Sequence, residues 1–133
     1  MKLRPRRLEA EKAEVIHGPK IKENDQANGR LMLADISHTH TVQFENLNLA
    51  DTASVRCRVA SGSTNAVIEF RDGSPQGDLL VAIEVKPTGG WDKWVELSAP
   101  LKAPNHRTSV CLVFTSPSTK RLMNLDWVEF GPR

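Results

Sequence analysis

Ser54-Val55-Arg56-Cys57-Arg58-Val59-Ala60-Ser61 carries the clearest periodicity in the chain, and the architecture follows from it. Val55, Cys57 and Val59 alternate with Ser54, Arg56 and Arg58, so one face is apolar and the other charged. A period of two is what a strand with one buried and one solvated face requires; a helix would scatter the same residues around its circumference.

The same signal spreads in both directions. Val67, Ile68 and Phe70 follow the turn-rich Ser61-Gly62-Ser63-Thr64-Asn65. Leu79 to Val85 follows Asp72-Gly73-Ser74-Pro75-Gln76-Gly77. Trp94, Glu96 and Ser98 alternate with Val95, Leu97 and Ala99; Trp94 begins this strand and is expected in the core. Val110, Leu112 and Phe114 share one face, with Cys111 and Val113 on the other, and Asn124 to Phe130 closes the chain. Toward the start, His40 to Leu47, Leu31 to Leu33 and Leu8 to Val15 also read as strands. About nine short strands punctuated by Gly, Pro, Asn and Ser predict an all-β jelly-roll sandwich of two antiparallel sheets. One segment resists. Leu8 to Val15 is rich in helix formers, yet Leu8, Ala10 and Ala13 make no helical stripe, so propensity and pattern disagree there.

Composition bounds the rest. A chain of 133 residues fits one domain with one core. Lys2, Arg4, Arg6 and Arg7 form a basic start, read as a linker remnant over residues 1–7, with the sandwich spanning 8–131. Eighteen Lys and Arg against 16 Asp and Glu leave a net charge of +2, too balanced for a dedicated nucleic-acid face. No apolar run is long enough to cross a bilayer, and the basic start precedes no apolar stretch of a signal peptide. The chain thus reads as an excised domain or a mature fragment. Cys57 and Cys111 sit in strand-like runs as small apolar residues; a bridge between them stays open at this stage.

Four stretches, in order, resemble the family 6 carbohydrate-binding modules. They are Leu8-Glu9-Ala10-Glu11, Val55 to Ser61, Thr88-Gly89-Gly90-Trp91-Asp92-Lys93-Trp94, and Asn124-Leu125-Asp126-Trp127-Val128-Glu129-Phe130. Together they span residues 8 to 130; family 35 modules share the first and last. The resemblance implies a secreted, monomeric, non-catalytic module that ties a polysaccharide-degrading catalytic domain to its substrate. It also implies that sugar binds in an edge-loop cleft, or in some members on the concave sheet face, and that a structural calcium sits near the termini.

In that pattern calcium falls to Glu9, Glu11 and Asp126, with backbone carbonyls around Arg30. Glu9 and Glu11, two apart, would share a face on a strand, and hard oxygen donors suit Ca²⁺; ordinary surface carboxylates are the competing reading. The pattern gives Trp91 the stacking role, displayed by the Thr88-Gly89-Gly90 turn, and Asn124 the hydrogen bonds to sugar hydroxyls. Packing in the interior is the competing reading for Trp91, and a turn role for Asn124.

One departure matters. Family members commonly oppose the Trp with a second aromatic, often Tyr, and this chain has no Tyr. The matching position falls at Ala34-Asp35, and Ser37-His38-Thr39-His40 replaces the Gly-Asp-Trp that usually follows. His38 is a candidate to substitute for part of the lost wall. Zinc on His38 and His40 would need further ligands, and surface or sugar-contacting histidines are the more common case. No nucleophile motif or phosphate loop is present. The remaining alternatives are a sandwich that has kept its fold but now holds a protein partner, and a small β-sandwich hydrolase. Scattered Lys86, Lys93, Arg107, Lys120 and Arg121 read chiefly as ordinary surface cations.

Overall fold

A computed structural model describes residues 6–27, 30–49, 52–62, 64–102, 108–118 and 120–131. Lys2, Arg4, His106 and Arg107 lie outside them. Eleven strands are present among the described residues: β1 (Arg6–Glu9), β2 (Val15–His17), β3 (Lys20–Glu23), β4 (Leu31–Ile36), β5 (Thr41–Leu47), β6 (Ser54–Ala60), β7 (Ala66–Asp72), β8 (Leu79–Val85), β9 (Val95–Pro100), β10 (Thr108–Thr115) and β11 (Met123–Gly131). One sheet runs β3-β4-β11-β6-β9, with β1 also pairing with β11; the other runs β2-β5-β10-β7-β8. Every pairing is antiparallel.

Alternation builds the core, as the strand pattern requires. Val55, Cys57 and Val59 of β6 and Leu125, Val128 and Phe130 of β11 face Val110, Leu112 and Phe114 of β10 and Ile68 and Phe70 of β7 in one apolar cluster. Cys57 points into that cluster, where burial pushes its thiol up to about 12. Cys111, on β10, alternates with the inward Val110 and Leu112 and so belongs to the opposite face of its own sheet. The two thiols are free, and this placement puts a sheet between them.

Three expectations change. The Leu8 to Val15 segment divides into β1, a single 3-10 turn (Ala10–Lys12) and β2. Strand pairing at its ends overrides helix propensity in a segment too short to nucleate a helix. The sandwich also begins earlier than residue 8: Arg6 and Arg7 are in β1, and Arg7 Nε donates to Glu129 Oε2 at 3.0 Å. Third, β3 carries only one apolar residue and is exposed throughout, so it gives no periodicity to read. Its lysines are suited to a sheet edge, where charge discourages further strand pairing.

Two irregularities shape the functional end. Leu33 and Ile36 both reach the core although three residues apart, because Asp35 between them adopts φ 56. Likewise Leu125 and Val128 both point inward across a register shift between Leu125 and Trp127. These bulges leave Asp126 and Trp127 together on the outer side of β11. There Trp127 lies under the guanidinium of Arg7, 3.9 Å from its centroid, with Arg56 at 5.6 Å. These cations also hold Glu129, which is paired to Arg7 at 3.0 Å and Arg56 at 2.6 Å.

Candidate carbohydrate site

The Trp91 loop is pinned before it displays anything. Thr88 N–H donates to the Ser61 carbonyl at 2.7 Å, and Ser61 N–H donates to Thr88 Oγ1 at 2.9 Å. Ser61 Oγ in turn donates to the Leu122 carbonyl at 2.6 Å, which ties the loop root to the entry of β11. Gly89 takes φ 103, a backbone angle costly for any residue with a Cβ. The turn leaves Trp91 39% exposed, the only Trp of the chain classed as exposed.

Asn124 completes the arrangement differently from the sequence expectation. It is 6% exposed, and its Nδ2 donates to the main-chain carbonyl of Trp91 at 2.8 Å. The amide therefore first fixes the loop, and a primary amide still has a second N–H and a carbonyl oxygen to offer. Gly62 is a residue the sequence reading passed over. A Cβ built on it would lie 2.9 Å from Cε2 and Nε1 of Trp91, so the indole rests against bare backbone. Gly62→Ala should displace the indole and weaken glycan binding severalfold with little change in melting temperature. Parallel affinity-gel and thermal-melt measurements check this.

Register places the other candidates around Asn124. Leu33 pairs with Leu125 and Asn124 with Ala60, so Ala34, Asn124 and Ala60 form a row across the outer side of the sheet. Ala34 is 3% exposed and packs with Ala27, Met32 and Trp94. Trp94 thus belongs to a separate patch on the outer face, not to the main core as expected. Arg58 lies 4.9 Å over its ring. Asp35 is bridged by Lys22 at 3.1 Å and Arg121 at 3.2 Å. Its carboxyl is held below the usual range, mainly by the Lys22 hydrogen bond. Beside this row, Gln26, Arg58, Thr88, Asp92, Lys93, Trp94 and Val95 line a groove of about 330 Å³.

His38 is not brought to that groove. Its Nδ1 accepts the Ser116 N–H at 3.0 Å, and it lines a separate concavity of about 530 Å³ with Asn65, Val67, Glu84, Thr115 and Pro117. His40 Nδ1 accepts from Ser37 N–H at 3.0 Å, and burial lowers its pKa. The two imidazoles are thus committed to different backbone groups, which removes the zinc pairing.

Two residues along β11 from Asn124, Asp126 lies near enough to Glu9 and Glu11 for their charges to interact. Burial first, then the neighbouring carboxylates, raise the pKa of Glu9; burial and Asp126 raise that of Glu11. Glu11 Oε1 is buried and accepts no hydrogen bond. Asp126 is 0% exposed and takes a 2.6 Å ion pair from Arg58, which also donates to the Gln26 carbonyl at 2.7 Å. Arg30 has φ 64, and its carbonyl accepts the Asn24 N–H at 2.9 Å. Among the described residues no three His, Cys, Asp or Glu side chains are placed closely enough to hold a metal ion as they stand.

An indole displayed on a pinned loop, beside a strand amide at the edge of a two-sheet sandwich, is an arrangement suited to a sugar ring and its hydroxyls. The chain belongs to the family described as carbohydrate binding module (family 6), whose sequence profile it matches over residues 9–132. It is a non-catalytic binding module. It is 30% identical over 125 residues to endo-1,4-beta-xylanase A of Thermoclostridium stercorarium, covering 93% of this chain and 23% of that enzyme. To an arabinoxylan arabinofuranohydrolase of Paenibacillus polymyxa it is 27% identical over 130 residues, covering 95% of this chain and 20% of the enzyme. The chain thus spans about a fifth of the length of the curated relatives it matches. A β-1,3-glucan-binding family 6 module from Bacillus halodurans superposes with a TM-score of 0.86, at 29% identity over 95% of each chain. A family 6 module of Clostridium stercorarium in complex with cellobiose gives 0.82, at 26% identity over 96% and 94%.

Proposed function

We propose that this module binds a xylan- or β-glucan-type chain at the Trp91–Asn124 edge, and that it does so as the targeting domain of a secreted bacterial glycoside hydrolase. The observation that carries this reading is the exposed indole on a loop pinned by Ser61, Thr88 and Asn124. A rigid aromatic face gives the C–H surface of a pyranose a dry platform at small entropic cost, and nearby polar groups meet the ring hydroxyls. The relatives that carry such a segment are bacterial enzymes acting on xylan and arabinoxylan, which supports both the glycan class and the attached enzyme. Tethering works by raising the effective concentration of the catalytic partner on its polymer. In native affinity gels, arabinoxylan or β-1,3-glucan should retard the module. Free passage through both gels, with a protein partner recovered instead, would favour the interaction-module alternative.

Calcium is the second part of this proposal. Three mutually repelling carboxylates, two with raised pKa and one with an oxygen that accepts nothing, offer hard donors that a cation would draw together. Glu9, Glu11 and Asp126, with the Arg30 carbonyl, would hold Ca²⁺. Bound there, the ion would supply positive charge between the first and last strands and staple the terminal segment to the sheet.

A further inference from the structure

We infer that the Trp91–Asn124 edge is built for an acidic glycan, one that carries uronate carboxylates along or beside its backbone. This deepens the proposed function and rests on it. Lys20 is the direct cross-strand partner of Ala34, so its side chain leaves the sheet on the same side, with Cβ atoms about 5 Å apart. Ala34 contributes only a methyl group, and that methyl is turned into the Trp94 patch. Where an aromatic would close the site, the exposed feature is therefore an ammonium. Lys93 stands on the other side of Asn124. It belongs to the Trp91 loop, its stem passes over Gly90, and it lines the groove that runs beside Trp94. Both lysines are exposed, and neither lies within ion-pair distance of a carboxylate among the described residues.

The surrounding acids offset them only in part. Asp35 is paired with Lys22 and Arg121, and the charge of Lys20 also acts on it from beyond ion-pair distance. Asp92 is the other carboxylate of the rim. The bulge at Asp35 matters here: its φ of 56 turns the carboxylate out to hold Arg121, which is itself 66% exposed, beside Met123 and Asn124. Cations therefore dominate the rim around a site whose floor is one amide and whose wall is one indole. Two ammonium groups flanking a stacked ring would read carboxylates spaced along or branching from a glycan chain. Attraction of this kind at an exposed surface is modest per pair and strongly screened by salt.

The test uses the whole chain and two acidic polymers, glucuronoxylan and alginate, each beside its carboxyl-reduced form, in affinity gels and calorimetry at low and high ionic strength. The expected result is a preference of about fivefold for an acidic form over its reduced counterpart at low salt, consistent with one or two screened pairs. It should shrink toward equality at about 0.5 M NaCl, where the Debye length is near 4 Å. In Lys20→Gln combined with Lys93→Gln the ratio should fall to near one. Equal binding of acidic and reduced forms by the native chain would overturn this inference and leave the glycan reading standing. Binding of neither form of either polymer would overturn this inference, and free passage through arabinoxylan and β-1,3-glucan gels as well would overturn the glycan reading. A salt-sensitive preference unchanged in the double variant would place the cation site elsewhere and overturn the assignment to Lys20 and Lys93.

Discussion

Trp91→Ala is expected to remove at least nine-tenths of the affinity for any glycan the module retains. Anchoring aromatics at the centre of a contact commonly account for about 2 kcal/mol or more, and 1.4 kcal/mol is already tenfold. The fold should barely register the change. The bond that organises this loop runs from Asn124 Nδ2 to the main-chain carbonyl of residue 91, and the Ser61–Thr88 clasp is independent of the indole. An exposed side chain of this kind shifts stability by roughly 0.5 kcal/mol. Trp94→Ala should behave in the opposite way. It empties the space beneath Arg58 and uncovers Ala27, Met32 and Ala34, so stability falls by about 1–3 kcal/mol. Glycan retardation and thermal melts on both variants separate the two indoles. If Trp91→Ala binds glycan as well as the native chain, the site lies elsewhere, and the concavity between His38 and Glu84 becomes the place to look.

The second large effect is expected from calcium. At a free concentration a hundredfold above its Kd, a ligand of the native state alone adds about 2.7 kcal/mol. For a domain of this size that corresponds to roughly 10 °C in Tm, which chelation should remove. Glu11→Gln supplies a sign change that a merely structural glutamate would not. With chelator present, the substitution removes one of three facing charges and should leave the protein as stable as the native chain or more so. With calcium present, the same variant loses a ligand and should melt well below the native chain. Identical native melting curves in calcium and in chelator would eliminate the site. The ion pair between Arg58 and Asp126 makes the experiment informative, because that cation already neutralises part of the cluster and limits how unstable the metal-free form can be.

Much of this was legible in the chain itself. The alternation in Val55 to Val59 and in Val110 to Phe114 required strands, and those strands form the core. The Gly89-Gly90-Trp91 order implied a displayed indole, and Trp91 is the exposed one. Where the reading failed, the signal was missing or ambiguous. β3 has no apolar period because it lies at an exposed edge. Leu8 to Val15 offered helix formers in a place where pairing with β11 and β5 decided the outcome. Trp94 looked like core because a large aromatic opens the strand, although alternation groups it with Glu96 and Ser98, opposite the inward Leu97 and Ala99.

Hydrophobic period and turn chemistry act locally, so residue order alone fixed the class of fold and marked Trp91 as the displayed indole. Folding alone brings the rest together: Asn124 holds the Trp91 loop, Gly62 lies against the indole, Asp126 comes near Glu9 and Glu11, and Lys20 stands beside Ala34. Each of these is a meeting of residues distant in the chain. Their proximity is set by sheet register and by two bulges, and a one-residue change in either would carry a side chain to the opposite face.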